Sequence, residues 1–128
     1  MLDVTVDDAV EPKVMEEDEE YTIRIVSARV TESDKGRFLI PRFEIVDEPY
    51  AKEFTMVLRL PDNEMTPKQK NEAKWRLKCF YEAFDFMPRG EYDPGTELPG
   101  LEASAILGVS ESDEYGEQNY VKRLLVRR

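Results

Sequence analysis

One segment of this chain reads with the period of a helix, and its place among the strand-like runs constrains the fold more than any other feature. Thr66-Pro67 supplies a helix start, a threonine cap with proline in the first turn. Ala73, Leu77, Phe80 and Phe84 then recur at four, three and four residues, an apolar stripe that predicts a helix to about Phe84. Lys68, Lys70, Lys74 and Lys78 lie largely off the stripe and read as a solvated face, with a nucleic-acid or partner contact as the alternative. Trp75 is also off it, packed at the helix margin or exposed. Before the helix, "EYTIRIVSARV" from Glu20 reads as strand one, ending near Thr31. "ESDKG" supplies a turn, with Gly36 available for a positive φ. Arg37 to Val46 reads as strand two and Phe54 to Leu60 as strand three, stopped by Pro61. After the helix, residues 85–100 hold three prolines and three glycines and read as a long loop. Leu101 to Val109 reads as strand four, "SESDEYGEQ" as a hairpin loop and "NYVKRLLVR" as strand five.

Three strands, one helix and two strands is the order of the OB-fold, a five-stranded, partly open barrel with its helix between strands three and four. A five-stranded sheet simply packed on the helix is the competing architecture. At 128 residues the chain has room for one core. The expected division is a flexible acidic N-terminal arm, residues 1–18, and an OB-fold domain, residues 19–128. The formal charge of −10 is uneven: of 28 acids and 18 bases, nine acids and one base fall in residues 1–20, which leaves 19 acids against 17 bases. A domain so nearly balanced has room for a basic stripe on one face.

The chain has no histidine and one cysteine, Cys79. Ser-His-Asp and Cys-His nucleophiles are therefore excluded, as are histidine-containing zinc sites and thiolate cages. Neither a calcium-loop spacing nor a phosphate-binding glycine loop occurs. The reading is of a protein without catalytic activity, metal or cofactor. Cys79 falls in the helical pattern and reads as a buried thiol. No apolar run approaches the ~18 residues of a membrane span. The N-terminus lacks the pattern of a signal peptide, so a cytoplasmic protein is expected.

Single-strand binding needs cations to follow phosphates and flat rings to stack on bases. In strand two, Leu39, Phe43 and Ile45 share one parity and form a core face, which turns Phe38, Ile40 and Arg42 outward. Lys35 and Arg37 lie at the preceding turn, Arg59 on strand three, and Tyr50 and Lys52 in the connecting loop. Strand one offers Arg24 and Arg29, on opposite parities unless a bulge intervenes. In the last hairpin Tyr115 reads as an aromatic loop tip beside Lys122 and Arg123. The candidate DNA-binding set is thus Arg29, Lys35, Arg37, Phe38, Arg42, Tyr50, Lys52, Arg59, Tyr115 and Lys122. The plainer reading buries Phe38 under the helix or the arm and pairs the arginines with Glu44, Glu48 and Glu53.

"EEYTIRIVSARVTESDKGRFLIPRFEIVDEPYAKEF", followed by an apolar strand ending in Leu-Pro, resembles the small OB-fold single-stranded DNA-binding proteins of tailed bacteriophages. Those proteins similarly open with Gly/Glu-x-Tyr, turn at Ser/Thr-x-x-Gly, and continue into a strand reading Phe-Glu-Ile/Val-Val-Asp. "LPG" before strand four and "NYV" opening strand five are similar as well, so the resemblance spans roughly residues 19–126. It implies coating of exposed strands during phage replication and recombination in the host cytoplasm, with phage replication or recombination proteins as further partners. The chain departs from the family in ending "LLVRR" with its acids in front, so the family's tail-mediated recruitment is not carried over. Two rivals stand beside this expectation. One is an OB-like protein-interaction module, which an apolar outward face without cations would favour. The other is a carboxylate–Mg²⁺ nuclease, which would require acids converging in a cleft.

Overall fold

The computed structural model describes residues 1–126; Arg127 and Arg128, which close the expected domain and the end of strand five, lie outside the described residues. Six strands form one antiparallel sheet: β1 (Glu20–Ser33), β2 (Gly36–Ile45), β3 (Phe54–Thr55), β4 (Leu58–Arg59), β5 (Glu102–Ser112) and β6 (Gly116–Leu125). The order is β3-β2-β1-β5-β6, with β4 also on β2. Helix α1 (Pro67–Ala83) follows β4, and a single turn, α2 (Pro94–Glu97), lies within the segment expected to be loop. The expected barrel is not formed as a closed hydrogen-bonded sheet among the described residues. β3 and β6 approach each other without pairing, and near there Lys52 Nζ donates to the Glu117 carbonyl at 3.0 Å.

The expected third strand is two short ones for a reason visible in β2. Arg42 pairs with Thr55 and Leu39 with Leu58, so β3 and β4 keep one register on either side of Pro41. The Pro41 carbonyl accepts from the Met56 N–H at 3.1 Å, but proline has no N–H to return the bond. The ladder therefore lapses at Met56 and Val57.

Alternation in β2 follows the sequence expectation. Leu39, Pro41, Phe43 and Ile45 are buried, while Phe38, Ile40, Arg42 and Glu44 are half-buried or exposed. The α1 stripe of Ala73, Leu77 and Phe80, with Phe84 at the cap, packs on this inner face. Phe43 stacks on Phe84 at 5.8 Å between ring centroids and meets Phe54 at 5.5 Å. The helix starts where expected, and Thr66 and Gln69 form a reciprocal capping box, each side chain bonding the other's backbone N–H. Cys79 is half-buried, not buried, because it lies off the core stripe.

One further expectation needs correction, while residues 85–100 form the expected loop apart from the turn of α2. Residues 13–18, read as part of a free arm, lie against the domain. Met15 is 8% exposed and belongs to the core, and Lys13 forms a parallel bridge with Ala51. The buried Asn119 amide clamps this segment: it accepts from the Met15 N–H at 2.8 Å and donates to the Met15 and Gly108 carbonyls at 3.0 Å each. A lone methionine in an acidic stretch carries no period that would announce its burial. The loop after α1 is packed as well. Tyr81, Phe86 and Tyr92 meet edge to face, and the Tyr81 and Tyr92 hydroxyls lie 2.7 Å apart. Burial, followed by that hydrogen bond, pushes the Tyr92 phenol far above its ordinary value.

Candidate nucleic-acid interface

The outward face of the sheet is set by an irregularity in β1. Arg24 pairs with Glu44 and Ile25 with Phe43, but Ser27 pairs with Arg42, so Val26 is the extra residue of a β-bulge. β1 pairs with β5 only through Arg24. At the bulge Ile25 instead exchanges backbone bonds with Leu101 and Gly100, at 2.9 and 2.8 Å, and beyond it β1 follows β2 alone. The inserted residue resets parity, so Arg29, opposite Ile40, shares the outward face with Arg24, opposite Glu44. Arg29 is exposed and makes no ion pair among the described residues.

Phe38 lies between Thr31 of β1 and Arg59 of β4. It is half-buried, and the Arg59 guanidinium sits 5.5 Å from its ring centroid, a cation–π contact. Gly36 makes this possible. Its φ of +124° suits glycine, and a Cβ there would lie 2.5 Å from Arg59 Nε. Arg59 is further held by Asp62 at 3.1 Å, while its Nε is buried without a partner. The hydrogen bond from Arg59 holds the Asp62 carboxyl below the usual aspartate value, against the opposing pull of desolvation.

The other outward arginines are also paired. Arg42 bonds Glu53 at 2.6 Å, and Arg24 bonds both Glu44 and Glu102 at 2.8 Å. Hydrogen bonds from those two carboxylates raise the Arg24 pKa. Glu48, the third acid expected to pair, lies 4.0 Å from Lys13. Four outward cations (Arg24, Arg29, Arg42, Arg59) thus face four neighbouring acids (Glu44, Glu53, Glu102, Asp62), and the sheet face is close to neutral.

The remaining candidates form separate groups. Lys35 and Arg37 are exposed at the β1–β2 turn, next to Arg59. Tyr50, 54% exposed, accepts from the Lys13 N–H through its carbonyl. Lys52, bonded to Glu117, connects this loop to the β5–β6 hairpin and precedes Glu53, the partner of Arg42. Tyr115 is 63% exposed at that hairpin's turn. Lys122 is not beside it: seven residues along a strand is about 23 Å. Lys122 instead pairs with Asp18 at 2.6 Å, which raises its pKa. Tyr120 lies in β6 and covers Gly108, where a Cβ would meet its ring at 2.4 Å.

Two residues outside the candidate set belong to this surface. Arg24 belongs by its register opposite Glu44, and the bulge, which no residue type in "RIVSAR" announces, is what places Arg29 on the same side. Arg76 of α1 lines the same cleft as Arg59, about 420 Å³ in volume, together with Asp62 and Glu72. Its signal was available in the sequence, since Arg76 lies off the apolar stripe. Among the described residues no three acidic, cysteine or histidine side chains are grouped to hold a metal ion, and no helix is long and apolar enough to cross a membrane. No protein-family model matches the chain, and comparison with curated proteins gives no match either.

Proposed function

We propose that this chain binds single-stranded DNA with little sequence specificity through an OB-type outward sheet face, as the phage proteins it resembles do during replication or recombination. The observation that carries this reading is the bulge at Val26, which brings Arg29 onto the face that holds Phe38, Arg42 and Arg59. Phe38 is the stacking ring, with Tyr50 in the β2–β3 loop and Tyr115 in the β5–β6 turn as further exposed rings. Arg29 offers an unpaired cation. Arg42 reaches a phosphate by exchanging it for Glu53, a small cost because exposed ion pairs contribute about 0–1 kcal/mol. The near-neutral face predicts that stacking supplies more of the affinity here than charge does.

Fluorescence anisotropy with labelled single- and double-stranded oligonucleotides at two salt concentrations tests this reading. Preference for single strands, weakened by salt, is expected. Equal affinity for duplex, or no binding of either, overturns it. The same charge balance favours a second reading, a protein-docking module, because exposed Val57 lies between β3 and β4 at the edge of this face. That module would bind neither nucleic acid.

A further inference from the structure

The outer face of α1 is unpartnered and differs from the rest of this acidic chain. Its seventeen residues carry five cations, Lys68, Lys70, Lys74, Arg76 and Lys78, against two acids, Glu72 and Glu82. None of the five makes an ion pair with a described residue. Among them stands Trp75, 55% exposed, with Lys78 Nζ 5.8 Å from its ring centroid. At 100° per residue, Lys68, Trp75 and Lys78 share the side opposite the buried stripe of Ala73, Leu77 and Phe80. A half-exposed indole within a cluster of unpaired cations is an amphipathic surface without its complement.

The cleft supplies continuity with the sheet. Arg59, whose guanidinium rests on Phe38, lines it from one side, and Arg76, the neighbour of Trp75, lines it from the other. We propose that α1 forms a second contact surface for single-stranded polynucleotide, with the strand passing from Phe38 and Arg59 across the cleft to Arg76 and Trp75. Trp75 is the stacking ring of this second segment, and Lys68, Lys74 and Lys78 follow its phosphates. The inference rests on the single-strand reading above and extends its path. Charge selects the occupant: a polyanion with flat, stackable groups matches both the indole and the lysines.

Trp75 is the sole tryptophan, so intrinsic fluorescence reports on this face in the unmodified protein. Oligothymidines of about 6 and about 15 nucleotides, within the span of OB-type sites, separate the two segments. The longer strand is expected to quench Trp75 on binding and the shorter to bind with little quenching. Trp75→Ala is expected to weaken the longer strand about 5- to 150-fold, the range for one stacked base, and to leave the shorter unchanged. Lys68→Gln/Lys74→Gln/Lys78→Gln should reduce salt dependence for the longer strand only. Anisotropy that shows binding while Trp75 emission and the Trp75→Ala affinity stay constant overturns this inference and leaves the sheet-face reading intact. Absence of any binding removes both. Emission that responds to deletion of residues 1–12 and not to DNA also overturns it, since the acidic arm then occupies the face.

Discussion

The outward sheet face and helix α1 carry similar numbers of cations, four and five, in different circumstances. On the sheet, Arg24, Arg42 and Arg59 each lie within 3.1 Å of a carboxylate, and Arg29 has no such partner among the described residues. On the helix none of the five is paired to a described residue. The difference follows from geometry. Antiparallel strands set residues side by side, so Arg24 faces Glu44 directly and a charge on one strand meets its neighbour's complement. A helix brings together residues three and four apart; in α1 that spacing sets Lys74 between Lys70 and Lys78, and although Glu72 lies four residues from both Lys68 and Arg76, neither forms an ion pair with it. Paired arginines fix a surface and lower its field, while unpaired lysines leave the field open to an outside anion. Count of charge is therefore a poor guide to where a polyanion binds.

The largest expected effect separating the faces is on stacking. Phe38→Ala should lose about 1–3 kcal/mol of single-strand affinity with its salt slope nearly intact. Anisotropy across a salt series measures both quantities, and melting of the variant guards against a folding defect. A lost fold would place Phe38 in the core and break the comparison.

Charge gives the next effect. Neutralising three α1 lysines should reduce the salt slope by about 2, at about 0.7 per single-strand phosphate, whereas Arg42→Ala should reduce it by less than about 0.7 because Glu53 already screens that side chain. Equal slopes per cation from the two faces would show that the ion pairs are irrelevant to binding.

Truncation sharpens the comparison further. Residues 1–12 are exposed and include Asp3, Asp7, Asp8 and Glu11, a tethered polyanion that competes for whichever cations are free. Deleting them should raise single-strand affinity several-fold at low salt. The gain should vanish as the Debye length falls from about 10 Å at 0.1 M to about 3 Å at 1 M. Deleting residues 1–18 should in addition lower the melting temperature, because Met15 and its clamp on Asn119 are removed. An unchanged melting temperature in the longer deletion would contradict the docking of residues 13–18.

The smallest effects come from the sheet's own acids. Glu53→Gln should release Arg42 and tighten binding up to a few-fold, measured at low salt. Asp62 adds a pH signature. Its carboxyl is held below the ordinary value of 3.8, so its contribution to stability is fully present above that value and is lost as pH falls through the depressed one. Thermal melts at neutral and strongly acid pH should show this loss, and Asp62→Asn should abolish that part of it.

Alternation and helical period were local properties, and they were legible in the sequence. The inward row of Leu39, Phe43 and Ile45, the outward row of Phe38 and Arg42, and the Thr66 cap with its apolar stripe all follow from which side of a strand or helix must meet the core. The tertiary structure decided what depends on a neighbour. The Val26 bulge arises where β1 leaves β5 and continues on β2 alone, so Arg29 joins the outward face through contacts far away in the chain. Met15 is buried because Asn119, 104 residues later, satisfies its backbone. Strand three divides because Pro41 of another strand cannot donate to it. Arg59 rests on Phe38 because β4 pairs with β2, and Arg76 shares a cleft with Arg59 because α1 packs beside that strand. Periodicity reports which face of an element is dry, but the partner across a sheet or a cleft is chosen by the assembled fold.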